Sequence, residues 1–393
     1  DKLDKIYGRV SFSAQLSAQM NPEAFFLEQF NISGQLKNAA FTQEDNLGDN
    51  LGFEFFLTQQ ADDQQQHIKL EVKKPTGEIF LDPVYLSFSG QEALSASLSY
   101  RSDKNTYAVK NISLSHPQIM HLNLQGLFEY KDRLETQRMD LSLDIEDLSG
   151  LNQLYLKNIL EGTDYEGLNI EGKFNLQAQQ NQALLTVMSE IDAVSIEYKN
   201  QLSVDNLQGE INWNKVDQKH NAVNKSALNN SAVKKSLLNW DKAALSGLPL
   251  GKTRWLLETH HDQLSLLQET RIPVFDGALI INSLQVQDLL DDLKLTIDGI
   301  IEPVSLELLS SHFNWPVLDG KLGAVIPATH YSQQQLRMGG AMMLQVFDGT
   351  IIIKDLIINE PLADTAQLTA NIDLNQLDLQ SLTRTYDFGE IQG

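Results

Sequence analysis

Apolar and polar residues alternate along most of this chain. The cleanest run is MDLSLDIED at 139–147, with Met139, Leu141, Leu143 and Ile145 on one side and Asp140, Ser142, Asp144 and Glu146 on the other. Successive strand side chains point to opposite faces, so this pattern predicts a strand with one greasy and one wet face. LTANIDL at 368–374 repeats it with Leu368, Ala370, Ile372 and Leu374. HIKLEV (67–72), ALSASLSY (93–100), HLNLQGLFEY (121–130) and LNIEGKFNLQ (168–177) follow the same rule less strictly. Turn signals at 46–49, 75–77, 102–105 and 318–320 separate these runs and leave little room for crossover helices. The expectation is an all-β, mainly antiparallel chain with a few short helices.

Two stretches are near copies. VFDGALIINSLQV starts at 274 and VFDGTIIIKDLII at 346, a spacing of 72. In the first, Leu279 and Ile281 share a face; after the polar pair Asn282-Ser283 the apolar phase moves to Leu284 and Val286. In the second, Ile351 and Ile353 precede Lys354-Asp355, and Leu356 and Ile358 follow. A phase shift at a polar pair predicts a tight turn or a bulge. The Asp-Gly at the head of each copy suits a turn with positive φ. The motif carries no partnered base, so its aspartate reads as structural.

Helical spacing appears at 148–162, where Leu151, Leu154, Tyr155 and Ile159 recur, Ser149 is a cap candidate and Gly162 a stop. The stretches 285–293 and 303–313 are further short-helix candidates. Residues 214–236 differ in kind. They are rich in Asn, Lys, Ser and Ala and lack alternation, which reads as a surface insertion. A basic contact for anionic head groups or another protein is the sharper alternative.

Composition narrows the function classes. The formal net charge is −22, which offers no dominant basic face and argues against nucleic acid as a partner. Cysteine is absent, which removes disulfides, thiolate metal sites and cysteine nucleophiles. The first residues show no apolar leader and the last stop in mid-pattern, so the expectation is an excised or mature piece with any membrane anchor outside it.

Candidate chemistry is sparse. His260-His261-Asp262 is the densest set of metal-type ligands, but adjacent strand residues face opposite ways. GLPLGKT at 247–253 lacks the glycine spacing of a phosphate loop. The pairs Asp62-Asp63 and Asp291-Asp292 lie in polar stretches that read as solvated. No catalytic residue, metal or cofactor is therefore expected, and the chain reads as a non-enzyme.

Residues 303–393 resemble the AsmA-like superfamily of Gram-negative envelope proteins (the TamB, YhdP and YdbH types). The matching text is EPVSLELLSSHFNWPVLDGKLGAVIPATHYSQQQLRMGGAMMLQVFDGTIIIKDLIINEP, followed by NIDLNQLDLQSLTRTYDFGEIQG. A looser match runs through 205–300, and 1–204 fits in style, with ISGQLKNAAF at 32–41. The resemblance implies an elongated, curled sheet that forms a hydrophobic groove, with an N-terminal β-repeat region at 1–204 and groove repeats at 205–393. It also implies a periplasmic protein, anchored in the inner membrane through a segment absent from this chain. Such a protein carries phospholipids toward the outer membrane, with membranes or envelope proteins at its ends. On that reading the acyl chains lie on Met139, Leu141, Leu143, Ile145, Leu279, Ile281, Ile351, Ile353, Ile372 and Leu374, and the piece is monomeric. The alternatives are a scaffold for outer-membrane protein assembly and a carbohydrate-binding or adhesin-like β-protein.

Overall fold

Alternation becomes strand almost throughout. The structure, a computed structural model, describes residues 5–20, 25–43, 46–61, 65–81, 84–101, 106–130, 134–163, 165–181, 184–216, 234–260, 263–288, 292–346, 349–361 and 365–376. These form 25 strands in antiparallel sheet with a few short helices, so the expected fold class is observed. The core of the 214–236 insertion, the pairs His261-Asp262 and Asp62-Asp63, Asp291 and the segment 377–393 lie outside the described residues. The chain forms two compact units, the first mainly Asp1–Glu190 and the second mainly Ile191–Lys215 with the later strands.

The first unit is a meander. It contains β1 (Lys5–Met20), β2 (Phe25–Gln43), β3 (Asn46–Ala61), β4 (Gln65–Leu81), β5 (Val84–Ser89), β6 (Ala93–Arg101), β7 (Thr106–His116), β8 (Met120–Tyr130), β9 (Leu134–Ile145) and β10 (Leu168–Asn181). Each strand pairs with the next, except that β5 and β6 share the two halves of β4. The turn signal at 46–49 opens β3 directly after the β2–β3 hairpin, where Asn46 pairs with Gln43, while that at 75–77 lies inside β4. Just beyond the first and before the second the chain kinks: Asn50 and Lys74 take positive φ and the β3–β4 register slips on either side of Gly52. A bulge uses the same small and polar residues as a turn, so local composition does not separate the two.

Between β9 and β10 runs the expected helical segment. It comprises α1 (Leu148–Leu151), a π turn (Asn152–Leu156) and α2 (Lys157–Leu160). Ser149 lies inside it and the cap position is Asp147, while Gly162 follows its end with positive φ. The π turn inserts an extra residue and rotates the face. Asn152 and Tyr155 become the buried positions, and Leu154 is exposed.

After β11 (Leu184–Tyr198), the second unit contains β12 (Leu202–Val216), β13 (Lys234–Trp240), β14 (Lys242–Leu245), β15 (Leu248–Leu250), β16 (Thr253–His260), β17 (Gln263–Leu266), β18 (Thr270–Val274), β19 (Gly277–Gln287) and β20 (Lys294–Ser305). Then come α3 (Leu306–His312), β21 (Lys321–Ser332), β22 (Gln335–Met338), β23 (Ala341–Val346), β24 (Gly349–Asn359) and β25 (Gln367–Asn375). The same device recurs: β17 and β18 share β19, and β22 and β23 share β21 and β24. Helix α3 matches the expectation for 303–313. Residues 285–287 belong to β19 instead of a helix, because their alternate side chains continue the strand pairing with β20.

Both VFDG copies open a bulged strand. Val274 pairs with Gly277 and Val346 with Gly349, so the copies occupy equivalent hairpin positions. Phe275 takes positive φ, its ring is half-buried and Asp276 is exposed, while Phe347 and Asp348 lie outside the described residues. The register slips between Ile281 and Ser283 in one copy and between Lys354 and Ile357 in the other, at the predicted polar pairs. The bulge offsets the phase shift. Ile281 and Leu284, from opposite sides of it, join Leu257 and Ile272 in one buried cluster.

Candidate functional site

Residues directly opposite in an antiparallel pair point to the same face, so register shows which side chains line up across a sheet. In the first unit, one ladder reads Ala14, Ile32, Leu57, Leu70, Ala96, Ile112, Leu124, Leu141, Ala178. The neighbouring ladder reads Phe12, Gly34, Phe55, Val72, Leu94, Leu114, Leu122, Leu143, Leu176. Both are apolar without interruption from β1 to β10, and only the short β5 stands outside them.

The opposite face is mostly polar. Its ladder reads Ser13, Ser33, Phe56, Glu71, Ser95, Ser113, Asn123, Ser142, Gln177. Ser13 bonds Ser33 at 3.1 Å and Ser95 bonds Ser113 at 2.7 Å. Lys69 and Lys73 pair with Glu71 at 2.6 and 3.3 Å. These partly exposed ion pairs add little stability, but they identify this face as the wet one.

Burial of the apolar ladders is incomplete. Ala178 is buried, Phe12 is 63% exposed, and the ladder side chains between them on β2–β9 are half-buried. A sheet packed against a second sheet would bury this face almost completely. The first unit therefore carries a broad apolar strip that is shielded by its own neighbours and remains accessible.

Similar ladders run through the second unit. Ile272, Leu279, Ile301, Ala324, Leu344, Ile351 and Leu374 form one. Thr259, Leu264, Val286, Leu295, Tyr331, Leu336, Ile358 and Leu368 form another. Part of this surface is closed: Leu257, Ile272 and Ile281 are each at most 3% exposed, with Trp255, Leu238 and Leu295 packed on them.

The residues singled out from sequence fall into place as follows. Leu141 and Leu143 lie on the two ladders of the first unit, and Met139 continues the same strand face opposite Gly126. Leu279, Ile351 and Leu374 share one ladder of the second unit, and Ile353 pairs directly with Ile372. Ile145 and Ile281 are buried core residues instead of accessible lining. Ile372 and Leu374 are 58% and 61% exposed.

Sequence reasoning missed a buried polar cluster in the first unit. Glu92, in the break between β5 and β6, is 3% exposed, His116 at the end of β7 is 4%, and Tyr155 in the π turn is 7%. The Tyr155 hydroxyl donates to Glu92 Oε1 at 3.1 Å and accepts from His116 Nδ1 at 2.7 Å. The carboxylate also accepts from the Ser89 and Gly90 backbone N–H groups and from the Ser89 hydroxyl, at 3.0 to 3.2 Å. Burial pushes the Glu92 carboxyl up, but these donors outweigh it and hold the group below the usual carboxylate range. Burial first, then the Glu92 charge, raises the Tyr155 phenol and keeps it neutral. The cluster has no local sequence signature, since its members come from a break, a strand end and a helix. It clamps the helical segment to the sheet.

Among the described residues no group of His, Asp and Glu side chains is arranged to hold a metal ion. No described helix is long and apolar enough to cross a membrane, which says nothing of strands. No family model, curated protein or solved structure matches this chain.

Proposed function

We propose that this chain is a lipid-binding segment of the AsmA-like kind, holding phospholipid acyl chains along its apolar ladders in the periplasm of a Gram-negative bacterium. The observation that supports this is the pair of uninterrupted, half-exposed apolar ladders from β1 to β10. Acyl chains need apolar surface and no directional contacts, so such a strip suffices without a sharp motif. Half-covering a dozen methylenes contributes about 5 kcal/mol, at roughly 0.8 kcal/mol for each one fully buried. The wet opposite face keeps the sheet soluble while the strip is occupied. This role requires no catalytic group. In the family resembled, transport runs between the inner and outer membranes, and this chain would form one stretch of that route.

The test is organic extraction and mass spectrometry of the purified chain, with titration of a nitrobenzoxadiazole-labelled phospholipid. Co-purifying phospholipid and saturable probe binding are expected. Absence of both overturns the proposal. Saturable binding of unfolded outer-membrane strands, or of glycans, in place of lipid would instead support the scaffold or carbohydrate readings.

A further inference from the structure

One exposed apolar feature of the second unit lies outside the ladders. After α3 the chain makes a short loop, and Asn314 takes positive φ within it. The loop is tied down from inside. The buried Ser310 accepts Trp315 N–H on its carbonyl at 2.8 Å and Leu318 N–H on its hydroxyl at 3.1 Å. Leu306 N–H donates to the Gly320 carbonyl at 3.0 Å and closes the loop. His312 Nε2 contacts the Gly247 carbonyl at 2.7 Å and anchors the end of α3 to the β14–β15 turn.

This ordered backbone holds apolar side chains out in water. Trp315 is 55% exposed, Val317 59% and Leu308 44%. The rings form a continuous row: Phe275 meets His312 edge-on at 5.4 Å, His312 meets Phe313 at 5.1 Å, and Phe313 stacks on Trp315 at 5.2 Å. A frayed loop would leave these hydrogen bonds unmade and the rings unstacked.

We infer that this loop is a docking element for the interfacial layer of a neutral, zwitterionic lipid bilayer. Size argues against a protein partner. At 55% exposure the indole of Trp315 offers on the order of 80–140 Å², taking 150–250 Å² for a whole aromatic side chain, and the smaller Val317 adds less. A stable protein interface takes roughly 800 Å² from each side. Insertion of one indole and one aliphatic side chain at head-group depth needs no more than Trp315 and Val317 of the loop present, and Trp favours that depth. Charge disfavours an anionic surface. Glu307 and Asp319 flank the loop against Lys321, and the whole chain carries −22. The inference rests on the lipid reading for its purpose only. Its chemistry is independent of the ladders.

The test uses the full chain and vesicles of phosphatidylcholine, alone or with added phosphatidylglycerol. Trp213 is buried and Trp240 and Trp255 are half-buried, so Trp315 is the exposed fluorophore. Brominated phosphatidylcholine should quench its emission, and Trp315→Ala should lower co-flotation by about tenfold. Trp315→Tyr should retain most of it, and circular dichroism should show all three proteins folded. Co-flotation that is absent in the unaltered chain, unchanged in Trp315→Ala, or seen only with phosphatidylglycerol overturns the inference. Labelled-phospholipid binding should be equal in Trp315→Ala and the unaltered chain. If that probe fails on both while co-flotation persists, the ladder reading falls and the docking loop stands.

Discussion

At Gly277 a methyl group would lie 2.7 Å from the Pro303 carbonyl oxygen and 2.9 Å from that of Glu302. At Gly349 it would lie 2.6 and 2.7 Å from the carbonyl oxygens of Gln376 and Asn375. Both glycines back onto the end of the following strand, so the repeated glycine answers a close approach. The left-handed residue of the first copy is Phe275. With room to spare, Gly→Ala would stabilise by about 0.4–1 kcal/mol through the unfolded chain. Gly277→Ala should instead destabilise by about 1–3 kcal/mol, because backbone must shift. Asp276 accepts the Ser305 N–H at 2.7 Å, a bond that an amide oxygen can also accept, so Asp276→Asn should be nearly silent. Urea unfolding of the two variants gives the sign directly. A stabilised Gly277→Ala would refute the close-approach account.

The buried tyrosine sets a second residue-scale expectation. Glu92 is depressed in the folded protein, so its stabilisation is present above the unfolded carboxyl value of about 4.3 and lost as pH falls through the folded value. Tyr155 is raised, so its contribution is full below about pH 10 and lost as pH rises through the folded value. Tyr155→Phe removes the acceptor of His116 Nδ1 and should cost about 1–3 kcal/mol near neutrality. Its deficit against the unaltered chain should narrow above about pH 10. A deficit that stays constant from neutral to alkaline pH would show that Tyr155 ionisation is not linked to folding.

At the scale of the strand, period-2 alternation made the faces legible. Leu141 and Leu143 were readable as sharing one side, and register places them on adjacent apolar ladders. Strand length was less legible. β2 and β4 run through Asn38 and Lys74, which take positive φ and resemble turn residues in sequence. The Glu92–His116–Tyr155 cluster was not legible, because its members meet only after the β5–β6 break and the π turn have formed. The face assignment can be tested in β9. Leu141→Asp with Leu143→Asp should cost about 1–3 kcal/mol per site, since each carboxylate enters a half-buried apolar row, and should abolish labelled-phospholipid binding. Ser142→Asp, on the wet ladder beside Asn123 and Gln177, should leave both unchanged. Equal effects from the two sets would mean that the faces are not chemically distinct.

For the whole chain, each strand depends on its immediate neighbours, as in repeat proteins, where stability is a sum of local terms. Those terms differ in strength. Within the second unit, β16, β18 and β19 supply a closed cluster in which Leu257, Ile272 and Ile281 are almost fully buried. Within the first, β1 has both faces exposed at its described side chains, with Val10 at 58% and Leu16 at 67%. Among the described residues β1 pairs only with β2 and β25 only with β24. A strand bonded on one side opens without breaking a second ladder, so amide exchange should be fastest in β1 and β25. It should be slowest around Leu279–Ile281 in β19, which is paired on both sides and buried below. Opening free energies should range from near zero at the one-sided strands toward the global value, roughly 5–15 kcal/mol, in β19. Added phospholipid should then protect the half-exposed β2–β9 amides more than those around Ile281 and Leu284 of β19, whose side chains are already buried. Exchange that is uniform across β1, β7 and β19, and unchanged by lipid, would contradict both the gradient and the accessible strip from which it follows.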